Sequence, residues 1–213
     1  MPSTLTGTVN MDVSRSFYQY RHLTEEQRNL LIRYRQQHGY PWHAPPHLVR
    51  EATYYLFTAA NFAHANIMDS EARRLGFQAR LLEGFRAAGI EVSAWVVLPN
   101  HYHILAFVPD FDGVAPSFRR LHGSTSRQWN LEDDLVGRQV WYRYTDRAIR
   151  SERHLYTTVN YLHYNPVKHG YADRADQWVS SSFWAYLETK GRDWLKDLWQ
   201  QYPVRDYGKG WDG

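Results

Sequence analysis

The stretch that decides the fold runs from Ile90 to Val108 and reads IEVSAWVVLPNHYHILAFV. It holds two runs rich in β-branched and aromatic residues, Ile90–Leu98 and His101–Val108, separated by Pro99 and Asn100. Such runs are typical of strands, and a short break between two of them predicts a hairpin. We therefore expect an antiparallel sheet to be built around this segment.

The patterns on either side of the hairpin predict a β-α-β-β-α-β order followed by a further helix. The other predicted elements are a strand over Thr53–Ala60, a helix from a cap at Asp69 or Ser70 to Ala88, a helix through Val114 and Trp129, a strand over Gln139–Tyr144, and a helix from Ser151 to Pro166. This order matches the α+β, ferredoxin-like (RRM-like) arrangement of a four-stranded antiparallel sheet with helices on one face.

Two extensions are predicted to flank this domain, which we place at residues 48–187. Residues 1–47 hold one predicted helix, Leu23–Gln37, followed by a proline-rich linker. Residues 188–213 are predicted to form a helical tail. Short aromatic-rich helices are expected around Trp178–Leu187, at the end of the domain, and around Asp193–Tyr202, in the tail.

The composition excludes several kinds of site. None of the 213 residues is cysteine, which rules out disulfides, iron–sulfur clusters and thiolate zinc sites. A net charge of +3 is weak support for an anionic partner, whereas 16% aromatic residues indicate a folded chain. The longest apolar run is too short for a membrane span and no secretory signal is visible, so we expect a cytoplasmic protein.

The first candidate site is the histidine pair on the second strand of the hairpin. Because side chains alternate along a strand, His101 and His103 share one face, with Cα atoms roughly 7 Å apart. Two imidazoles at this spacing can converge on one metal ion. The alternative is a solvated pair or a pair at the edge of the core.

The second candidate site lies in the stretch NYLHYNPVKHG, residues 160–170. Tyr161 and Asn165 are four residues apart, so they share one side of a helix. They could sit over a metal ion held by the two histidines. Alternatively, Tyr161 packs in the core and Asn165 ends the helix, because proline disfavours helical geometry in the residue before it.

Taken together, the motifs PNHYHIL (residues 99–105) and YLHYNPVKHGY (161–171), with RLHGSTSRQWN (120–130) between them, resemble the REP-associated tyrosine transposases. These are relatives of the insertion-sequence transposases within the His-hydrophobic-His superfamily of single-strand DNA endonucleases. The resemblance implies that His101, His103 and Asn165 bind Mg²⁺ or Mn²⁺. It also implies that Tyr161 attacks a DNA phosphate, giving a 5′-phosphotyrosine and a free 3′-OH.

The resemblance implies that the partner is single-stranded DNA that folds into palindromic hairpins, hence a nucleoid-associated location, and it favours a monomer over a dimer. The N-terminal helix, with Arg28, Arg33 and Arg35, could hold the stem of such a hairpin. The basic residues assigned to DNA binding are Arg119, Arg120, Arg127, Arg143, Arg147, Arg150 and Lys168. Each could instead belong to a solvated face, and Trp129, Trp141 and Trp178 suit core packing better than base stacking. The main functional alternative is a palindrome-binding regulator that keeps the fold without the chemistry.

Overall fold

The sheet has the predicted ferredoxin-like topology. The computed structural model describes residues 52–209, together with residues 24–26, 29, 30 and 33. Its elements are β1 (Thr53–Ala60), α1 (Glu71–Ala87), β2 (Glu91–Val97), β3 (His101–Val108), α2 (Val114–Glu132), β4 (Thr145–Ala148), α3 (Glu152–Lys168), α4 (Phe183–Lys190) and α5 (Arg192–Gln201), with 3-10 turns at Phe62–His64 and Ala175–Gln177. The strand order β2-β3-β1-β4 is antiparallel throughout, which confirms the α+β prediction.

The central strands β1 and β3 set the register of the sheet. Ala60 lies opposite His101 and Thr58 opposite His103. The β2–β3 hairpin forms as predicted, and its turn is closed by Leu98 N donating to His101 O at 2.8 Å. Both histidines therefore lie at the hairpin end of the central strands.

The two faces of the sheet carry separate cores. On one face, Tyr102 and Ile104 pack with α1 and α2. On the other face, Leu56 and Leu105 pack with α3, α5 and the chain that follows α5. The expectation of helices on one face holds for α1 and α2 only, because α3 and the C-terminal segment cover the opposite face. The histidines point toward that second layer.

The fourth strand was predicted at the wrong place. It covers Thr145–Ala148 and pairs with β1, whereas residues 139–144 contribute only the isolated bridge between Asn61 and Trp141. Trp141 is buried, and its Nε1 donates to Thr125 Oγ1 at 3.0 Å. The aromatic signal in this stretch reflects core packing. The polar sequence of β4 suits a short edge strand.

Two helix boundaries also differ from the predictions. The helix α3 continues through Pro166 to Lys168, so Asn165 does not end it. A proline this close to the C-terminus removes a single intrahelical hydrogen bond, which the buried packing of Asn165 and Pro166 offsets. The helix predicted from Trp178 begins at Phe183, because Trp178 is a core residue whose Nε1 donates to Val97 O at 2.9 Å.

Few residues of the N-terminal extension are described. Residues 25, 26, 29, 30 and 33 are helical, within the helix predicted over Leu23–Gln37. The rest of residues 1–47, including Arg28 and Arg35, lies outside the described part of the chain, so the domain boundaries and the stem-binding role remain predictions. Among the described residues, no helix combines the length and the apolar character that crossing a bilayer requires.

Candidate active site

The helix α3 lies over β3 and brings the four predicted site residues together. His101 Nε2 is 3.3 Å from Asn165 Oδ1. The rings of His103 and Tyr161 meet edge to face, with centroids 5.4 Å apart. All four side chains are buried. The site is therefore a cross-layer contact between one strand and one helix.

Two matching sequence spacings produce this contact. Residues two apart on a strand are separated by about 7 Å, and residues four apart on a helix by about 6 Å. A histidine pair on β3 can therefore face Tyr161 and Asn165 as two parallel rows. The helix is fixed in place by Ser151, whose side chain caps its first turn, and by Asn160, whose Nδ2 donates to Leu198 O and Tyr202 O in the C-terminal segment.

Each histidine is held through its Nδ1 atom. Asn100 Oδ1 lies 2.7 Å from Nδ1 of His101, and Thr58 Oγ1 lies 2.7 Å from Nδ1 of His103. An amide oxygen only accepts hydrogen bonds, so Nδ1 of His101 carries the proton and Nε2 faces Asn165 with its lone pair. A second partner on the far ring nitrogen is what orients histidines at metal sites.

The donor set fits a divalent ion such as Mg²⁺ or Mn²⁺. The lone pairs of His101 Nε2 and Asn165 Oδ1 face each other at 3.3 Å, so a positive charge between them, either a second ring proton or a cation, would stabilise the pair. Adjacent ligands of an octahedral ion of this size lie about 3 Å apart. No group of three or more His, Cys, Asp or Glu side chains suited to a metal occurs in the described ranges. An ion here would therefore use the two imidazoles and the amide.

The C-terminal segment covers Tyr161. The ring of Tyr161 contacts the ring of Tyr207, with centroids 5.5 Å apart, and the backbone of Gly208 lies against it. The Tyr207 hydroxyl is 2.6 Å from Thr158 Oγ1 and 3.0 Å from His154 Nε2. Burial raises the pKa of Tyr207, so this phenol stays protonated near neutral pH. As a result, no part of Tyr161 is exposed to solvent.

Two of the basic residues predicted to bind DNA lie beside Tyr161. The ammonium of Lys168 is 5.1 Å from the centroid of the Tyr161 ring and donates to Gly208 O at 3.0 Å. Arg147 on β4 is close enough to Tyr161 and Tyr207 to interact electrostatically with both. Burial lowers the pKa of Arg147, yet a guanidinium remains cationic in proteins.

The other predicted DNA-binding residues lie on α2 or at the two ends of β4. Arg119, Arg120 and Arg127 are exposed on α2, which covers the opposite face of the sheet. Arg143 and Arg150 are exposed on either side of β4. The three tryptophans Trp129, Trp141 and Trp178 are all buried, in agreement with the core interpretation.

Several site residues were not predicted from the sequence. Asn100 could have been found, because it directly precedes His101 in the motif PNHYHIL. Thr58 becomes a partner of His103 only through strand register, which no local pattern gives. Tyr207 and Gly208 lie about forty residues beyond α3, in a tail with no motif, and nothing in the sequence placed them on Tyr161.

Comparisons with known proteins agree with the resemblance carried by the two motifs. The chain is 28% identical over 137 residues to the REP-associated tyrosine transposase of Escherichia coli (strain K12), covering 61% of this chain and 79% of that protein. It is 31% identical over 103 residues to a Haemophilus influenzae (strain ATCC 51907 / DSM 11121 / KW20 / Rd) protein with the same family name, covering 44% and 58%. No family model matches the chain.

A solved structure confirms the fold. It is a REP-associated tyrosine transposase bound to a REP hairpin, with a TM-score of 0.56 and 22% sequence identity, covering 70% of this chain and 88% of that one. The predicted resemblance to the REP-associated tyrosine transposases is thus confirmed by sequence similarity, and the arrangement of sheet and helices is confirmed by the structural similarity.

Proposed function

We propose that this protein is a single-tyrosine DNA endonuclease and strand transferase that acts on hairpins formed by palindromic single strands. The observation that carries the proposal is the placement of Tyr161 and Asn165 directly against His103 and His101. The phenol of Tyr161, the amide of Asn165 and the two imidazoles thus lie within a few ångströms of their partners across the layers. The names of the relatives, and the REP hairpin bound by the transposase of similar fold, support the same substrate for this chain.

In the proposed reaction, Tyr161 Oη attacks a phosphorus atom of the DNA backbone. The new Oη–P bond forms as the P–O3′ bond breaks, the phenol loses its proton, and the departing 3′-oxygen takes one up. The product is a 5′-phosphotyrosine with a free 3′-OH. Since one phosphoester replaces another, the 3′-OH of the same or a second strand can reverse the step, as transposition requires.

We assign His101, His103 and Asn165 as ligands of a divalent ion. When bound, such an ion would polarise the phosphate and stabilise the charge on the departing oxygen. Asn100 and Thr58 orient the two imidazoles. Beside the nucleophile, Lys168 and Arg147 supply positive charge that favours both the phenolate and an approaching phosphate.

A covalent-adduct assay tests the proposal. A labelled single-stranded hairpin taken from the palindromes that flank the gene is incubated with protein and Mn²⁺ or Mg²⁺, and the products are separated on a denaturing gel. We expect a protein–DNA adduct that is lost in Tyr161→Phe and in EDTA. The matched control is Tyr164→Phe, which removes an exposed hydroxyl from the same helix and should retain the adduct.

The outcomes separate the two functional candidates. An adduct in Tyr164→Phe but not in Tyr161→Phe establishes the nucleophile. Tight hairpin binding without any adduct favours the palindrome-binding regulator instead, provided that Gly208→Ala also forms none. That substitution adds a methyl group against the Tyr161 ring and should loosen the C-terminal segment that covers it. An adduct that survives in EDTA would exclude the metal assignment while leaving the tyrosine in place.

A further inference from the structure

A second candidate binding site lies on the other face of the sheet. A groove of about 730 Å³ opens between α2 and residues 138–146. Its volume is within the range of about 300–1,000 Å³ typical of ligand sites. Aromatic side chains form its walls, and arginines stand at its rim. The chemistry of Tyr161 uses none of these residues.

The aromatic walls are pre-formed. The ring of His122 stacks on Trp141, with centroids 4.6 Å apart and an interplanar angle of 13°. Tyr144 stacks on Phe118 at 4.1 Å and 28°. Tyr142 is half-buried beside them. Flat rings that are already held by their neighbours lose little conformational freedom when a base stacks on them, and base stacking tolerates any sequence.

The wall also carries a hydrogen-bond donor. Tyr102 is fully buried, and the partner of its hydroxyl among the described residues is His122 Nε2, at 2.8 Å. A buried hydroxyl that only accepted would leave its hydrogen unsatisfied, so Tyr102 donates to Nε2 and the proton of His122 sits on Nδ1. Burial also lowers the pKa of His122 to about 3, which keeps the ring neutral. Nδ1–H can therefore donate to a base or phosphate oxygen in the groove.

One arginine at the rim, Arg119, carries a charge that no carboxylate in the described part of the domain neutralises. Arg119 is exposed, and within residues 52–209 no carboxylate forms an ion pair with it. Arg138, at the other end of the groove, is bound instead to Asp133 at 2.7 Å. An arginine left to solvent above an aromatic wall is suited to a backbone phosphate.

The groove lies next to the candidate active site across the sheet. Tyr142 N donates to Ala60 O at 2.9 Å, and Ala60 is the strand partner of His101. With strands about 4.8 Å apart, Tyr142 and His101 are separated by roughly 10 Å along this row. A single strand of DNA that lies in the groove can therefore reach the active site by crossing the edge of the sheet at residues 141–144.

We infer that this groove binds unpaired nucleotides of the DNA substrate, with bases stacked between the aromatic walls and a phosphate on Arg119. The inference rests on the proposed function and names where the single-stranded part of that substrate lies. It specifies unpaired nucleotides because a base can enter such a groove only when it is not stacked in a duplex.

Binding measured without chemistry tests the inference. Fluorescence anisotropy with the full chain in EDTA reports the affinity for a labelled oligothymidine of about 20 nucleotides. We expect Arg119→Glu and Tyr142→Leu each to weaken binding about tenfold. The matched control is Arg80→Glu, which makes the same charge change at an exposed arginine of α1 outside the groove and should change the affinity less than about threefold. Tyr142→Trp, which keeps a ring, should restore binding.

Other outcomes would overturn the inference. Equal losses of affinity in Arg119→Glu and Arg80→Glu would show that the effect comes from the overall charge of the protein and not from the groove. Binding of a blunt duplex as tightly as oligothymidine would exclude recognition of unpaired bases, and tighter binding of oligouridine would assign the groove to RNA. Because EDTA removes the metal, failure here is independent of adduct formation at Tyr161, and an adduct without groove binding would leave the proposed function intact.

Discussion

Gly208 and Tyr161 are in contact so close that only a glycine fits. A Cβ placed on Gly208 would lie 2.3 Å from Cε2 of Tyr161 and 2.7 Å from its Cζ. The φ angle of Gly208 is +78°, a backbone conformation that other residues adopt only with strain. The covering of the proposed nucleophile by the tail therefore depends on the absence of one side chain.

Gly208→Ala should release Tyr161. The added methyl group cannot be accommodated against the ring, so the closed position of the tail loses about 1–3 kcal/mol, and the rate of adduct formation should rise by about tenfold. The measurement is a time course of adduct formation on the denaturing gel. Gly137→Ala is the matched control, because Gly137 has φ +91° and no atom within 4 Å of its Cβ position. A rate increase in both variants would attribute the effect to general loosening.

Asn100→Ala should weaken metal binding without touching a ligand. The change removes the acceptor that fixes the proton of His101 on Nδ1, and loss of such a partner costs about 10–100-fold in metal affinity. Titration of Mn²⁺ into the protein without DNA, followed by electron paramagnetic resonance of the free ion, measures it. Asn100→Asp restores an acceptor and should restore the affinity. Unchanged affinity in Asn100→Ala would argue against His101 as a ligand.

The sequence predicted the individual strands and helices better than it predicted how they pack against one another. The bounds of the strand over His101–Val108 were predicted correctly, because a short, mainly apolar run that starts directly after Pro99 and Asn100 is a local signal. The predicted position of the fourth strand was wrong, because Trp141 is aromatic as a residue packed in the core and not as part of a paired strand. The meeting of His103 with Tyr161 could be expected only from the resemblance to a known family, since it depends on how α3 packs on the sheet.

The contacts between the C-terminal tail and Tyr161 could not be predicted from the sequence. Tyr207 and Gly208 reach Tyr161 through tertiary packing, and their local sequence has neither periodicity nor motif. The only sequence signal in this region is the glycine itself, and glycine has many other uses in loops.

Acidification should destabilise the fold through His163. This ring is fully buried against Ser182 Oγ at 2.9 Å, and burial lowers its pKa from 6.5 to about 3. Between these values the unfolded chain binds a proton that the folded chain does not, so stability is complete above pH 6.5 and falls as the pH decreases toward 3. The contribution is about 1.4 kcal/mol per pH unit.

Urea unfolding between about pH 7.5 and 4.5 measures this slope. In His163→Leu the free energy of unfolding should change less steeply with pH, by about 1.4 kcal/mol per pH unit below pH 6.5, whatever the absolute stability of the variant. Ser182 Oγ keeps its bonds to Trp95 N and Trp95 O, so the substitution leaves no polar group stranded. Identical slopes in the two proteins would show that His163 already titrates near its ordinary value when folded.

Lys168 offers a final test, because its two contacts predict opposite effects. Its ammonium donates to Gly208 O, which holds the tail closed, and it also lies over the ring of Tyr161, where it favours the phenolate. With the natural tail, Lys168→Met removes both contributions at once, so the rate of adduct formation in this variant alone does not separate them. In the Gly208→Ala background the tail contact is already lost, so only the effect on the nucleophile remains.

In that background, Lys168→Met should slow adduct formation by about tenfold or more, and Lys168→Arg should restore the rate, since either cation stabilises the phenolate and the phosphate. Anisotropy with the labelled hairpin in EDTA checks that DNA affinity changes less than the rate does. If Lys168 served only to hold the tail, Lys168→Met would speed the reaction in the protein with the natural tail and have no effect once Gly208 is replaced. The two backgrounds therefore separate a residue that restrains the tail from one that also assists the attack.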